Sequence, residues 1–162
     1  MAVDMFLELD GVVGETVDAT FKPKKAIDVR GFNWGVSNTG TFHHGSGGGS
    51  GKANFQDLSV VKYTDKATAD LLLACANGKH IAKGTLTVRK AGEKPLEYMK
   101  ISMSQILVSS VETGSQADDE RQTERVLLNF AKVKVEYFMQ SANGGKEPGG
   151  EMAFDIAGNA KV

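Results

Sequence analysis

Residues 122–139 read Gln122-Thr-Glu-Arg-Val-Leu-Leu-Asn-Phe-Ala-Lys-Val-Lys-Val-Glu-Tyr-Phe-Met139. Val126, Leu128 and Phe130 recur with a period of two, the spacing of a strand with one face on a core. After Phe130 the apolar set moves by one residue, to Ala131, Val133, Val135 and Tyr137. A one-residue slip sends every later side chain to the other face unless the strand bends or bulges. Residues 96–112 do the same, with Met99, Ile101 and Met103 followed by Ile106 and Val108. So do residues 26–37, where Ile27 and Val29 give way to Phe32, Trp34 and Val36, with Gly31 at the switch. Three long strands of this kind predict strands that bend between two packed sheets, hence a barrel or sandwich and not a flat sheet.

Working outward, residues 3–9, 54–63, 81–90 and 151–157 also read as strands. In the first, Val3, Met5, Leu7 and Leu9 form the apolar set; Leu86 and Val88 do so in the fourth of the chain's strands. One helix is expected near 66–76. Thr64 or Asp65 can cap it, Leu71, Leu72, Ala74 and Cys75 supply its apolar stripe, and Gly78 suits a left-handed terminator. Segments 38–53 and 141–150 are too polar and glycine-rich for strands, and 113–121 reads as a hairpin tip. The fold class expected is mainly β, a two-sheet β-barrel or sandwich with one short α-helix, as a single domain over residues 1–162.

Composition narrows the function. The chain has 162 residues, 19 Lys and Arg, 20 Asp and Glu, and a net charge of −1. No basic excess exists to neutralise phosphates, so nucleic acid is an unsuitable partner. One cysteine, Cys75, excludes an internal disulfide framework and reads as a small apolar side chain on the helix stripe. The first ten residues have no basic n-region and no signal-peptide core. No apolar run is long enough to span a bilayer, so no membrane insertion is expected.

The motifs that suggest chemistry fail on inspection. Ser46-Gly-Gly-Gly-Ser-Gly-Lys52 resembles a phosphate loop, but the first glycine is Ser46 and Ala53 stands where a metal-binding hydroxyl is needed. A strand also follows where a helix N-terminus should face the phosphate. His43, His44 and His80 are the three histidines; none has ligand partners at zinc spacing or lies in a nucleophile-elbow setting. The reading is therefore no catalytic residue, no metal ligand and no cofactor, and not an enzyme.

Six stretches, in order and spanning nearly the whole chain, resemble one family. They are Asp4-Met-Phe-Leu-Glu-Leu-Asp-Gly-Val-Val-Gly-Glu15; Ile27-Asp-Val29 with Trp34-Gly-Val-Ser37; Gln56-Asp-Leu-Ser-Val-Val-Lys-Tyr-Thr-Asp-Lys66; Leu73-Ala-Cys-Ala-Asn-Gly-Lys-His80; Val108-Ser-Ser-Val111; and Val126-Leu-Leu-Asn-Phe-Ala-Lys-Val133. Together they resemble the Hcp (haemolysin-coregulated protein) family, the inner-tube protein of type VI secretion. Phe32 stands where the family pattern leads one to expect a second tryptophan. The resemblance implies a two-sheet barrel with a flanking helix, and hexameric rings that stack into a tube. It also implies as partners a contractile sheath, a tip spike and small effector proteins carried and chaperoned in the lumen. The location implied is cytoplasmic before assembly, then secreted or injected into a target cell without a signal peptide. The alternative is a monomeric or dimeric ligand-binding β-barrel, for instance one that binds carbohydrate; oligomeric state separates the two.

In that setting two groups of residues are expected to matter. Gly40, Thr41, Phe42, His43, His44, Gly47 and Lys52 form a loop expected to touch neighbouring subunits or rings, because Phe42 is an aromatic in an otherwise polar segment. Phe32 and Trp34 share one strand face, with Val36 continuing it, and read as core. Asn33 must then point the other way and is expected to face the lumen, with Asp57 and Ser59 as further candidates opposite Leu58 and Val60.

Overall fold

A computed structural model describes residues 2–40, 42, 43, 49 and 51–162. The bends expected from sequence set its shape. Strands β8 (Leu96–Gly114) and β9 (Thr123–Gln140) run antiparallel along nearly their whole length. Both change buried face at the same place. In β8 the buried side chains pass from Ile101 and Met103 to Ile106 and Val108; in β9 they pass from Val126, Leu128 and Phe130 to Val133. Gln105 makes the turn in β8 with φ of +54°, a left-handed conformation that costs a residue with a Cβ about 1 kcal/mol. Opposite it, the Ala131 carbonyl accepts the amides of Ile156 at 2.8 Å and Ala157 at 3.4 Å. The Ala131 carbonyl freed by the bend is thus paired.

The bent pair carries two layers. In one, β9 pairs with β10 (Lys146–Asp155), which pairs with β11 (Ala160–Lys161). On the other side β8 pairs with β7 (His80–Lys90), β7 with β1 (Val3–Leu9), and β1 with β2 (Ile27–Val29). The Thr123 end of β9 pairs instead with β6 (Leu58–Tyr63), and β6 with β3 (Gly31–Asn33). The expected long strand 26–37 is therefore cut at Arg30, where the chain leaves one layer for the other. Its amide bonds the Val61 carbonyl at 2.7 Å. No ladder joins β2 to β6 among the described residues, so of the two expected forms the molecule takes the sandwich and not the closed barrel. Leu7, Ile27, Leu58, Leu86, Ile101 and Leu128 are fully buried between the layers.

Helix α1 (Thr68–Asn77) packs on β8 and ends at Gly78 with φ of +67°, the left-handed cap expected. It starts two residues later than expected, and of the two expected caps Asp65 takes the role. Asp65 Oδ1 accepts the Ala67 amide at 2.9 Å while Thr68 Oγ1 accepts the Asp65 amide at 3.0 Å. This is a reciprocal capping box with Thr in the usual Glu position. Leu71 and Ala74 are buried on the helix, but Leu72 is 40% exposed, because the adjacent position on a 3.6-residue period turns off the stripe.

Four other expectations need correction. Residues 146–150 are strand, not loop: the long β9 offers a ladder, and Pro148 and Gly149 are accommodated at a bulge on the outer edge, where a missing N–H is tolerated. Segment 54–63 breaks at Gln56 and Asp57 into β5 (Asn54–Phe55) and β6. Val36, in β4 (Val36–Ser37), is 45% exposed and does not continue the core face of Phe32 and Trp34, because β4 leaves the sandwich to pair with β5 alone. Phe6, on the polar side of β1, is buried by residues 14–26, which fold over that face. Its ring stacks on Phe21 with centroids 4.1 Å apart. Gly14 permits the close pass, since a Cβ there would overlap the Ala26 carbonyl.

Candidate functional site

Antiparallel pairing sets Asn33 opposite Ser59, and Ser59 opposite Leu127. Directly paired residues share a face, and it is the face away from the core, since Phe32, Leu58, Val60 and Leu128 point inward. Together with Asp57, Val61 and Arg125 these side chains line an open concavity of about 690 Å³. The three sequence candidates Asn33, Asp57 and Ser59 thus lie in one place, although 24 residues separate the first from the second (57 − 33).

Asp57 is fixed there by two strands. Its Oδ1 accepts Asn129 Nδ2 at 2.8 Å and its Oδ2 accepts Ser109 Oγ at 2.6 Å. Ser109 is the extra residue of a bulge between Val108 and Ser110. The same hydroxyl reaches the Leu127 carbonyl at 3.1 Å. A bulge commonly re-aims a side chain in this way. Among the described residues no side-chain hydrogen bond engages Asn33 or Ser59, whereas the Asp57 carboxylate is already engaged. Two aliphatic side chains, Val61 and Leu127, sit between them and were not foreseen; the register of β6 on β9 alone puts them there. The site offers the uncharged groups of Asn33 and Ser59 beside the charged Arg125 and the engaged Asp57, over a small apolar floor.

The loop expected to make contacts is an arm. β4 and β5 form its stem through Val36–Phe55 and Ser37–Asn54 pairs, and the Gly51 amide extends the stem to the Thr39 carbonyl at 3.3 Å. The root is aromatic. Trp34 lies 6.1 Å from Phe55 and 6.2 Å from Phe130, and Phe55 lies 5.1 Å from Phe154. Trp34 Nε1 donates to the Gln56 carbonyl at 2.9 Å. Along the arm Gly40, His43 and Lys52 are exposed, and Phe42 is 82% exposed. Thr41, His44 and Gly47 lie outside the described residues. His80 begins β7, on the surface and away from the arm.

Two charged clusters had no sequence signature, because each joins distant residues. Lys62 and Glu124 are both fully buried, 2.7 Å apart. Lys62 also meets Asp65 at 2.9 Å, while Glu124 accepts Thr64 Oγ1 at 3.1 Å and Thr68 Oγ1 at 3.0 Å. This network ties β6, β9 and the helix cap beneath the concave layer. On the other layer Arg89 spans Asp18 at 2.5 Å and Asp4 at 3.0 Å, with its guanidinium over the Phe6 and Phe21 rings. The Arg89 hydrogen bond is the main cause holding the Asp18 carboxyl below its ordinary range, and the amides of Thr20 and Phe21 act in the same direction against partial burial.

Comparison with known proteins agrees with this architecture. Residues 6–137 match the family described as "Type VI secretion system effector, Hcp". The chain is 49% identical over 150 residues to Protein hcp1 of Pseudomonas aeruginosa, covering 92% of this chain and 91% of that protein. It is similar to the crystal structure of Hcp1 from Salmonella typhimurium, with a TM-score of 0.81 and 34% identity over 100% of both chains. A structure of "a type six secretion system protein" gives a TM-score of 0.92 at 29% identity, covering 99% of this chain and 100% of the other.

Proposed function

The chain belongs to the Hcp family of type VI secretion proteins, and from that membership we propose that it is a structural, non-catalytic tube subunit, one domain over residues 1–162. Six copies close into a ring, rings stack into a tube, and the tube is expelled from the cytoplasm through a contractile sheath behind a tip spike. Small effector proteins travel in the lumen and are protected there. The observation that carries this reading beyond the family is the concave outer face. A strand face that presents Asn33, Ser59 and a braced Asp57 away from the core is what a subunit needs to line a wet channel and hold a folded cargo by many weak hydrogen bonds. The arm supports the same reading. An exposed Phe42 on a stem rooted by Trp34 and Phe55 is suited to seat on a neighbouring subunit or ring, with Gly40, Thr41, His43, His44, Gly47 and Lys52 around it.

Negative-stain electron microscopy of the purified protein, with light scattering for mass, tests the assembly. Six-fold rings with an open centre and a mass of six chains are expected; a monomer at every concentration defeats the proposal. Within rings, Asn33→Trp should leave the ring intact and lower cargo retention. Deletion of residues 45–51 should weaken stacking more than subunit folding.

A further inference from the structure

Glycine follows asparagine twice in the chain, at Asn77–Gly78 and at Asn143–Gly144, and alanine precedes both pairs. Such a pair is chemically labile, because glycine has no Cβ to keep its backbone nitrogen from the asparagine side chain. The glycine nitrogen attacks the side-chain carbonyl carbon and closes a succinimide ring. The bond from that carbon to Nδ2 breaks, and ammonia leaves with the proton that the backbone nitrogen gave up. Water then adds to one carbonyl of the ring and breaks one of its C–N bonds, leaving an aspartate or an isoaspartate. Nothing is oxidised or reduced, and water is the co-reactant. Two conditions set the rate: the side-chain carbonyl must be free to swing onto the nitrogen, and the glycine N–H must be able to leave its hydrogen bond.

The fold treats the two pairs differently. Asn77 is the last residue of α1, and its Oδ1 accepts the Lys79 amide at 2.9 Å, which turns the carbonyl away from Gly78. The Gly78 amide donates to the Ala74 carbonyl. That bond opens only if the helix end lifts, and Ala74 and Leu71 bury the helix against the sandwich. Asn143 sits instead in the exposed turn that joins β9 to β10. No hydrogen bond engages its side chain among the described residues. The Gly144 amide does donate to the Ser141 carbonyl at 2.9 Å, with φ of +79° at Gly144. This bond belongs to a short turn with no buried anchor, since residues 142–143 and 145–150 are all exposed. Bonds of that kind open by local fluctuation at little cost, whereas those of a packed helix do not.

We infer that Asn143 is a site of spontaneous deamidation in the folded protein, through the Gly144 backbone nitrogen, and that the fold protects Asn77 from the same reaction. The product carries one more negative charge, which takes the formal net charge from −1 to −2 (−1 − 1). The new carboxylate stands near Lys94, whose side chain would lie 3.9 Å from a Cβ on Gly144. An isoaspartate also routes the main chain through an added methylene. The bonds that now close the turn, from Ser141 to the Gly145 carbonyl at 2.8 Å and from Gly144 to Ser141 at 2.9 Å, cannot both keep their geometry then. The β9–β10 tip therefore works as a timer, with charge and a loosened turn marking the subunits that have waited longest since synthesis.

The test holds the purified full chain in warm, mildly alkaline buffer and follows the peptides that contain each pair by mass spectrometry, with enzymatic methylation to count isoaspartate. In the folded protein Asn143 should convert at least about tenfold faster than Asn77. In denaturing urea the two rates should come together, because the preceding alanine and following glycine are the same at both and only the fold separates them. Asn143→Gln should keep the fold and remove the isoaspartate signal from its peptide, since glutamine must close a larger ring. Asn77 converting as fast as Asn143 in the folded protein would overturn the inference. So would a ratio that urea leaves unchanged, isoaspartate that persists in Asn143→Gln, or a folded chain whose Asn143 stays intact while the unfolded chain converts.

Discussion

Truncating one partner of the Lys62–Glu124 pair should have unequal effects, depending on which partner goes. Breaking a buried pair leaves an uncompensated charge and typically costs about 3–5 kcal/mol. In Lys62→Met, Glu124 keeps only the hydroxyls of Thr64 and Thr68, so the carboxylate stays buried without a cation. About 4–5 kcal/mol should be lost, the top of that range. In Glu124→Leu, the Lys62 ammonium still has Asp65 at 2.9 Å, so the loss should fall near the bottom, about 3 kcal/mol. In the double variant both charges of the pair go, while Asp65 keeps the Ala67 amide and the hydroxyls of Thr64 and Thr68 lose their acceptor. Its loss should stay well below the sum of the two single losses, since apolar replacement of a buried pair is often neutral in itself. Urea unfolding followed by fluorescence of Trp34, the one tryptophan, reads these differences as midpoint shifts at constant slope. All variants must be compared in one assembly state, because association adds its own stability. Equal losses in the two single variants, a loss under about 1 kcal/mol for Lys62→Met, or a double variant as unstable as the sum would refute the account.

Three further outcomes follow from local geometry. The Asp18 carboxyl is held below its ordinary range in the folded state, chiefly by Arg89. Its contribution is therefore full above the unfolded-state value and is lost as pH falls through the folded value. The stability gap between the natural chain and Asp18→Asn should be open near neutral pH and close as pH is lowered through and below about 4, by urea unfolding at stepped pH; a gap that widens on acidification has the wrong sign. Gln105→Gly should stabilise by about 0.5–1 kcal/mol, because glycine takes φ of +54° without Cβ strain, and thermal melting checks it. Phe55→Ala should cost about 2 kcal/mol, the low end for an aromatic truncation because Phe55 is only partly buried. It should also speed proteolysis within 38–53, leaving the sandwich protected.

Where the strands bend was readable because each bend leaves a one-residue slip in an otherwise strict period. The slips at Phe130–Ala131 and Met103–Ile106 are local patterns in the chain, and the structure turns at both. The helix terminator at Gly78 was equally plain, since a left-handed cap selects for glycine. Val36 misled because a period of two says which residues share a face only while the strand stays in its sheet. Here β4 leaves it to form the arm. The polar, proline-containing segment 146–150 misled because pairing can be imposed by a long neighbour whatever the segment's own preference.

The candidate site divides along the same line. That Asn33 turns away from the core follows from its position between Phe32 and Trp34, a matter of strand geometry alone. That Asp57 is braced by Ser109 and Asn129, and that Val61 and Leu127 floor the concavity, follows from which strands lie side by side. The sequence by itself determined the β content, the bends, the single helix and the family resemblance, because each is written in spacings of a few residues. Only the tertiary structure decided the open sandwich, the anchored arm, the segment 14–26 held over β1 by Arg89 and Phe21, and the buried Lys62–Glu124 network. Lys62 and Glu124 are 62 positions apart and Asp18 and Arg89 are 71. Contacts of that range depend on ladder register and on mutual burial, which no short-range pattern encodes.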